Sequence, residues 1–304
     1  MKTDCHFHTN LSDWKFDNAQ VIAQAKEKWV KFAICTDHDI VNSEFPHLAR
    51  TSWILSYEWV EASCFDEKNN HHLHFTTYSK KFNGKVTRIL EKTRDWKKIK
   101  ISSQIALLQK NWFRVEIKEF YDFYSTKTNI DNLNSYHLAS YILRFPENLE
   151  LIKKLTWENL NIEQFLLRCL KIEWDLKHIW AVEIEWYEPT IAEFWQVAKQ
   201  ENYIFSLAHP NFKMTQEKFR QRIEYYLNLW VNAVEINVQA EKSRVELILK
   251  FQKKYDFLLT FWSDCHFKTN KWEKHWGFWD INPYVSQELV NLNLENLKKK
   301  LELN

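Results

Sequence analysis

Val30-Lys31-Phe32-Ala33-Ile34-Cys35-Thr36-Asp37-His38-Asp39 reads as a buried parallel strand that ends in a polar cluster. Its first part is almost continuously apolar, as strands covered on both faces are. Upstream, Asn18 to Lys28 carries Val21, Ile22 and Ala25 on one face after Asp17, the pattern of an amphipathic helix with an N-cap. Before that, residues 2–8 form a first strand. Two more strands are expected at 53–63 and 72–78. The rhythm returns towards the C-terminus as helix 190–201, strand 203–208, helix 215–229, strand 231–237, helix 241–254 and strand 257–262. This alternation predicts an α/β protein built as a βα barrel.

Three clusters stand at strand ends, Asp4-Cys5-His6-Phe7-His8, Thr36-Asp37-His38-Asp39 and Ser263-Asp264-Cys265-His266. Side chains on a strand alternate faces. Asp4, His6 and His8 therefore point one way, Cys5 and Phe7 the other, and Asp264 and His266 share a face from which Cys265 turns away. Imidazoles and carboxylates without thiolates suit Mn, Fe or Zn. Between the barrel segments, 84–180 holds helix-period stretches such as Val115 to Tyr124, Ser135 to Arg144 and Ile162 to Lys171. This region is expected to be a helical insertion that caps the barrel mouth, leaving 1–83 and 181–304 as the barrel. Pro146 and the Asn-rich stretch 129–134 are expected to break it into short helices. The run 286–301, with Leu289, Leu292, Leu294, Leu297 and Leu301, is expected to dock as a last helix.

Composition narrows the classes. With 42 Lys plus Arg against 40 Asp plus Glu, the net charge is +2, so no global basic field drives sequence-independent nucleic-acid binding. The five cysteines form no C-x-x-C pair and fit a reducing cytoplasm. No apolar run reaches the roughly 18 residues of a membrane span, and the chain opens on a strand instead of a signal peptide. The protein is expected to be cytoplasmic, with no obligate protein partner.

The chain has 2 Gly and 16 Trp, whereas glycine ordinarily makes up about 7% of residues. Many of the tryptophans stand where glycine is usual, as in Ser12-Asp13-Trp14, Lys28-Trp29-Val30, Trp59-Val60-Glu61 and Phe261-Trp262-Ser263. Such turns and strand ends call for positive φ or close backbone approach. One reading is that UGA codons meant as glycine stand here as tryptophan. The other is a chain truly rich in Trp and poor in Gly.

In order, His6-x-His8, Ser12-Asp13, Thr36-Asp37-His38-Asp39, Val60-Glu61, His72-Leu73-His74, Ala208-His209-Pro210 and Ser263-Asp264-Cys265-His266 resemble the PHP family, named for polymerase and histidinol phosphatase domains. The resemblance spans nearly the whole chain. It implies a distorted seven-stranded, TIM-like βα barrel with a trinuclear metal centre at its C-terminal mouth. Carried over by position, His6, His8, Glu61 and Asp264 would hold a first metal and Glu61, His74 and His209 a second. Asp13, His38 and His266 would hold a third. The implied ions are two or three divalent metals, Mn first, with Fe or Zn as alternatives. Glu61 is preferred over Glu58, and His74 over His71 and His72. Asp37 and Asp4 would orient ligand imidazoles, with capping of the next turn as the competing role for Asp37.

Within the family, Tyr136-His137-Leu138-Ala139 and Ser12-Asp13-Trp14 most resemble the branch that hydrolyses nucleoside 3′,5′-bisphosphates and trims short RNA from its 5′ end. There His137 would contact phosphate, although Ser135 stands in place of an arginine that a lysine or serine does not replace. The implied activity is a metal-dependent phosphoesterase acting on a small phosphorylated substrate, a nucleotide or short RNA. The alternatives are a small-metabolite phosphatase of the histidinol phosphate kind and a non-catalytic metal-binding module.

Overall fold

A computed structural model describes residues 2–13, 16–170, 188–210, 214–229, 231–263 and 281–302. The chain divides into two compact units, Met1–Leu90 with Glu188–Asn304, and Glu91–Tyr187.

In the first unit the elements run β1 (Lys2–Phe7), α1 (Asn18–Glu27), β2 (Val30–Cys35), α2 (Glu44–Thr51), β3 (Glu58–Asp66), β4 (His71–Ser79) and the start of α3 (Gly84–Lys110). After the second unit come α8 (Ile191–Gln200), β5 (Ile204–Leu207), α9 (Gln216–Asn228), β6 (Ala233–Asn237), α10 (Lys242–Tyr255), β7 (Leu258–Trp262) and α11 (Gln287–Glu302). The seven strands form two ladders, a parallel pair β1–β2 and a five-stranded sheet ordered β3-β4-β5-β6-β7. β4 runs antiparallel to both of its neighbours, whereas β5–β6 and β6–β7 are parallel.

Single bridges cross the gap between the ladders, pairing Phe32 with Leu55 and His38 with Glu61. At the other edge, Ser263 donates to Asp4 through its N–H at 3.3 Å and its Oγ at 2.6 Å. The fold is thus mixed α/β, and among the described residues its strands make two ladders where the sequence predicts one barrel. The expected strand 53–63 begins late, at Glu58. Residues 54–57 lack the ladder partners that Glu58 to Asp66 find in His71 to Ser79.

The sheet buries one face against α8, α9 and α10, where Phe75 stacks on Phe205 with ring centroids 4.2 Å apart and Phe194, Phe219 and Ile248 complete the layer. α11 brings Leu294, Leu297 and Leu301 to a second cluster with Cys5, Phe32 and Ile34. Leu292 of the same helix stays exposed.

The second unit is helical: the rest of α3, then α4 (Ile117–Tyr124), α5 (Ser135–Ile142), α6 (Pro146–Thr156) and α7 (Ile162–Phe165), around a core of Phe120, Leu138, Ile142 and Phe165. Pro146 starts α6 at its first turn, where the missing N–H is harmless. Among the described residues, no helix is long and apolar enough to cross a membrane.

Four tryptophans have left-handed backbones at helix ends: Trp29 (φ 60), Trp53 (φ 61), Trp112 (φ 68) and Trp157 (φ 61). They follow α1, α2, α3 and α6, and their N–H groups close the last turn on Lys26, Arg50, Gln109 and Lys153. α8 and α10 end the same way on Asn202 (φ 56) and Asp256 (φ 49), residue types that tolerate this region. The four indoles are 77–90% exposed, so no packing holds them there. Trp59 is the opposite case, fully buried with its ring centroid 3.2 Å from that of Tyr78 and no partner for its indole nitrogen. Aromatic pairs ordinarily keep about 4.5–7 Å, so the indole is oversized for its place.

Candidate metal centre

β1 delivers His6 and, one residue past its end, His8 to the same face, while Phe7 and Cys5 turn into separate apolar clusters. β3 contributes Glu61, which is fully buried. Its two oxygens divide the imidazoles between them. Oε2 lies 3.0 Å from His6 Nε2, 3.3 Å from His8 Nε2 and 3.2 Å from His38 Nδ1. Oε1 lies 3.0 Å from His74 Nδ1 and 2.6 Å from His209 Nε2.

Facing ring nitrogens come close, His6 to His8 at 3.2 Å and His74 to His209 at 3.2 Å. Asp13 closes the side near His38 and His8, at 3.5 and 3.8 Å. Within this constellation three groups, His6-His8-Glu61, His8-Asp13-His38 and His38-Glu61-His74, each offer ligand atoms within 4.8 Å of one another. Neutral imidazoles and carboxylates without a thiolate are the donors of divalent metal sites, so the residues present fit divalent ions.

Electrostatics agrees with that use at Glu61 and His38. Burial would push the Glu61 carboxyl up, but His38, His6, His74 and His209 hold it well below the usual carboxylate range. Burial keeps His38 neutral, down to about 3, against the pull of Glu61 and Asp13. A neutral ring is the form that ligates metal. For His6, burial works downward but Glu61 and Glu235 outweigh it and raise the imidazole well above its ordinary value.

The structure thus brings together His6, His8, Asp13, His38, Glu61, His74 and His209, while Asp264 and His266 lie outside the described residues. Glu58 is turned away and accepts from the Phe82 N–H at 2.7 Å. His72 pairs with Glu188 at 2.7 Å. His137 belongs to the helical unit, where its ring and Asn134 form the cap of α5.

Asp37 stands behind the ligands, since its carboxylate accepts from the Thr9 N–H (2.6 Å), Thr9 Oγ1 (2.6 Å), Ser12 Oγ (2.7 Å) and Asn42 Nδ2 (3.0 Å). Those bonds hold the loop from Thr9 to Asp13, and Ser12 in turn approaches His8 Nδ1 at 3.5 Å. Of the two roles open to Asp37, orienting imidazoles or capping the next turn, the described contacts are this anchoring of the loop. Asp4 likewise ties β1 to Ser263 and to the His6 N–H.

One residue central to the site escaped the sequence reading. Glu235 on β6 is fully buried; Oε1 faces His6 Nδ1 at 3.0 Å and accepts from Thr76 at 2.8 Å, and Oε2 accepts the His209 N–H at 2.8 Å. It faces the His6 ring and anchors the backbone of His209, whose φ of 27° is unfavourable. Its only signal was a lone acid in the apolar run Ala233-Val234-Glu235-Ile236. Glu235→Gln is expected to weaken metal affinity by about 10–100-fold, read by titrating metal into the metal-free protein while circular dichroism confirms the fold.

Solved structures resemble this chain over nearly its full length. A predicted metal-dependent phosphoesterase from Bifidobacterium adolescentis superposes with a TM-score of 0.71 at 14% identity, covering 96% of this chain and 95% of that one. An amidohydrolase from Chromobacterium violaceum, solved with bound sulfate and no metal, has a TM-score of 0.71 at 14% identity, covering 99% and 97%. The chain shares their fold. No protein-family profile matches the sequence, and no curated protein does.

The four described cysteines are free and buried, and burial is the first cause that raises the thiols of Cys5, Cys35 and Cys64 far above the ordinary range. Native protein is expected to leave these three unmodified by iodoacetamide, with labelling appearing only on denaturation, as peptide mass spectrometry would show.

Proposed function

We propose that this chain is a metal-dependent phosphoesterase that hydrolyses phosphate esters of small nucleotides, nucleoside 3′,5′-bisphosphates first, or of short RNA 5′ ends. The observation that carries the reading is Glu61, with one oxygen facing His6, His8 and His38 and the other facing His74 and His209. A carboxylate so placed can bridge two cations. Two or three divalent ions, Mn by preference, would be held by His6, His8, Asp13, His38, Glu61, His74 and His209, with Asp264 and His266 completing the set at the mouth of a closed barrel. When bound, such ions lower the pKa of water and neutralise phosphoryl oxygens.

The chain's own residues supply the rest. His6, His8 and Glu61 are sealed from solvent, whereas the side chains of His74 and His209 are 35% and 27% exposed, which makes them the side from which substrate enters. Glu235 holds the His6 ring and the His209 backbone N–H. Asp37 acts through the Thr9–Asp13 loop. The sulfate in the Chromobacterium protein has the tetrahedral, dianionic form of phosphate, which supports the reading. Buried free thiols suit work in the cytoplasm.

The test is phosphate release from adenosine 3′,5′-bisphosphate by Mn-loaded protein. Release that EDTA abolishes and Mn restores is expected. Equal or faster turnover of histidinol phosphate would move the assignment to the small-metabolite phosphatase, and no release from either would overturn it.

A further inference from the structure

A cavity of about 370 Å³ lies between the β3–β4 turn and the start of α9, lined by Lys68, Asn69, Lys218, Gln221, Arg222 and Tyr225 among others. The turn runs into His74 along β4, and α9 is the next described helix after His209. Lys68 Nζ sits 4.3 Å from the centre of the Tyr225 ring. Among the described residues, neither Lys68 nor Lys218 meets a carboxylate. The nearby acids are Glu67 and Asp66, and Asp66 already accepts from Tyr226 at 2.7 Å and from Asn69.

Lys68, Lys218 and Arg222 line one cavity with Tyr225, and cationic groups beside an aromatic face suit phosphate next to a ring. We propose that this cavity is a phosphate-binding subsite for a group of the substrate remote from the reacting phosphate. The proposal rests on the phosphoesterase reading for its role but not for its detection.

Metal-free protein is titrated with inorganic tripolyphosphate and with a five-residue oligouridylate, comparing wild type with the Lys68→Ala/Lys218→Ala double variant. Both lysines are exposed, so the variant folds. A tenfold or greater loss of affinity, with an unchanged circular dichroism spectrum, is expected. Loss confined to the oligonucleotide assigns the subsite to chain phosphates, and loss for both assigns it to any polyphosphate. Equal affinities in variant and wild type, or no binding by wild type, overturn it. Loss of binding in a protein that hydrolyses nothing would keep the subsite and remove the phosphoesterase reading.

A second inference stands on different observations. Of the seven tryptophans whose side chains are described, four occupy left-handed helix ends with their indoles in solvent, and Trp59 is crowded against Tyr78. Neither glycine of the chain stands at a described position of positive φ. Trp96 and Trp195 lie inside helices and make no such case. We infer that positions 29, 53, 59, 112 and 157 are glycine in the native protein, encoded by UGA. Reading those codons in the gene decides it: UGA at all five, with glycine in the peptides of the protein from its own cells, is expected. UGG at these positions overturns it.

Discussion

Glu61→Gln abolishes phosphate release, with kcat/KM falling at least about 10³-fold, beyond the 10- to 100-fold typical of an outer partner of a metal site. The amide matches the carboxylate in shape but carries no charge and presents an NH2 group to one of the two imidazole sets. Either His74 and His209 or His6, His8 and His38 then face a donor instead of an acceptor. Metal analysis of the dialysed variant should show loss of bound ion in parallel with activity. Glu58→Gln is the control, because its carboxylate is committed to the Phe82 N–H. If Glu61→Gln kept full activity, or if both variants lost it equally, the assignment of Glu61 as the bridge would fall.

Replacing Trp29, Trp53, Trp112 and Trp157 together by glycine raises stability. A left-handed backbone costs a residue with a Cβ about 1–2 kcal/mol, and these exposed rings return no packing. The sites are independent surface positions at different helix ends, so their gains should add to about 4–8 kcal/mol. Urea denaturation with an unchanged m-value is the measurement. Trp59→Gly tests the same idea with opposite signs: removing a well-fitted core tryptophan would cost about 3–5 kcal/mol, whereas removing one pressed against Tyr78 at 3.2 Å raises the midpoint. A marked loss of stability at Trp59 would mean that the indole is native there.

The fold was legible where periodicity was strong. β2 is an unbroken apolar run, and α1, α8, α9 and α10 begin and end within about two residues of the pattern. α2 has no counterpart among the expected elements, and Pro46 lies in its first turn, where Pro is harmless. The long α3 was not recognised as one helix, and the unit boundary at Leu90 falls inside it. Composition and motif carry no information about such a boundary.

The residues that gather around Glu61 were legible because H-x-H at a strand end has few other uses. Glu235 was not, because its meaning lies in His6 and His209, which approach it from β1 and from the loop after β5. Asp37 shows the converse. Its place in the motif left imidazole orientation and capping both open, and the choice lay in the hydroxyls of Thr9 and Ser12, which reach its two oxygens.

The left-handed helix ends also govern how this protein must be produced. Trp14 is the first of the sixteen tryptophans, and if its codon is UGA, a ribosome that takes UGA as stop releases the chain after Asp13. That fragment holds β1 and the Asp13 loop without the β2 strand that pairs with it or the Glu61 that gathers its histidines. Only a recoded gene, or a host with the matching tRNA, would deliver an intact metal centre for assay.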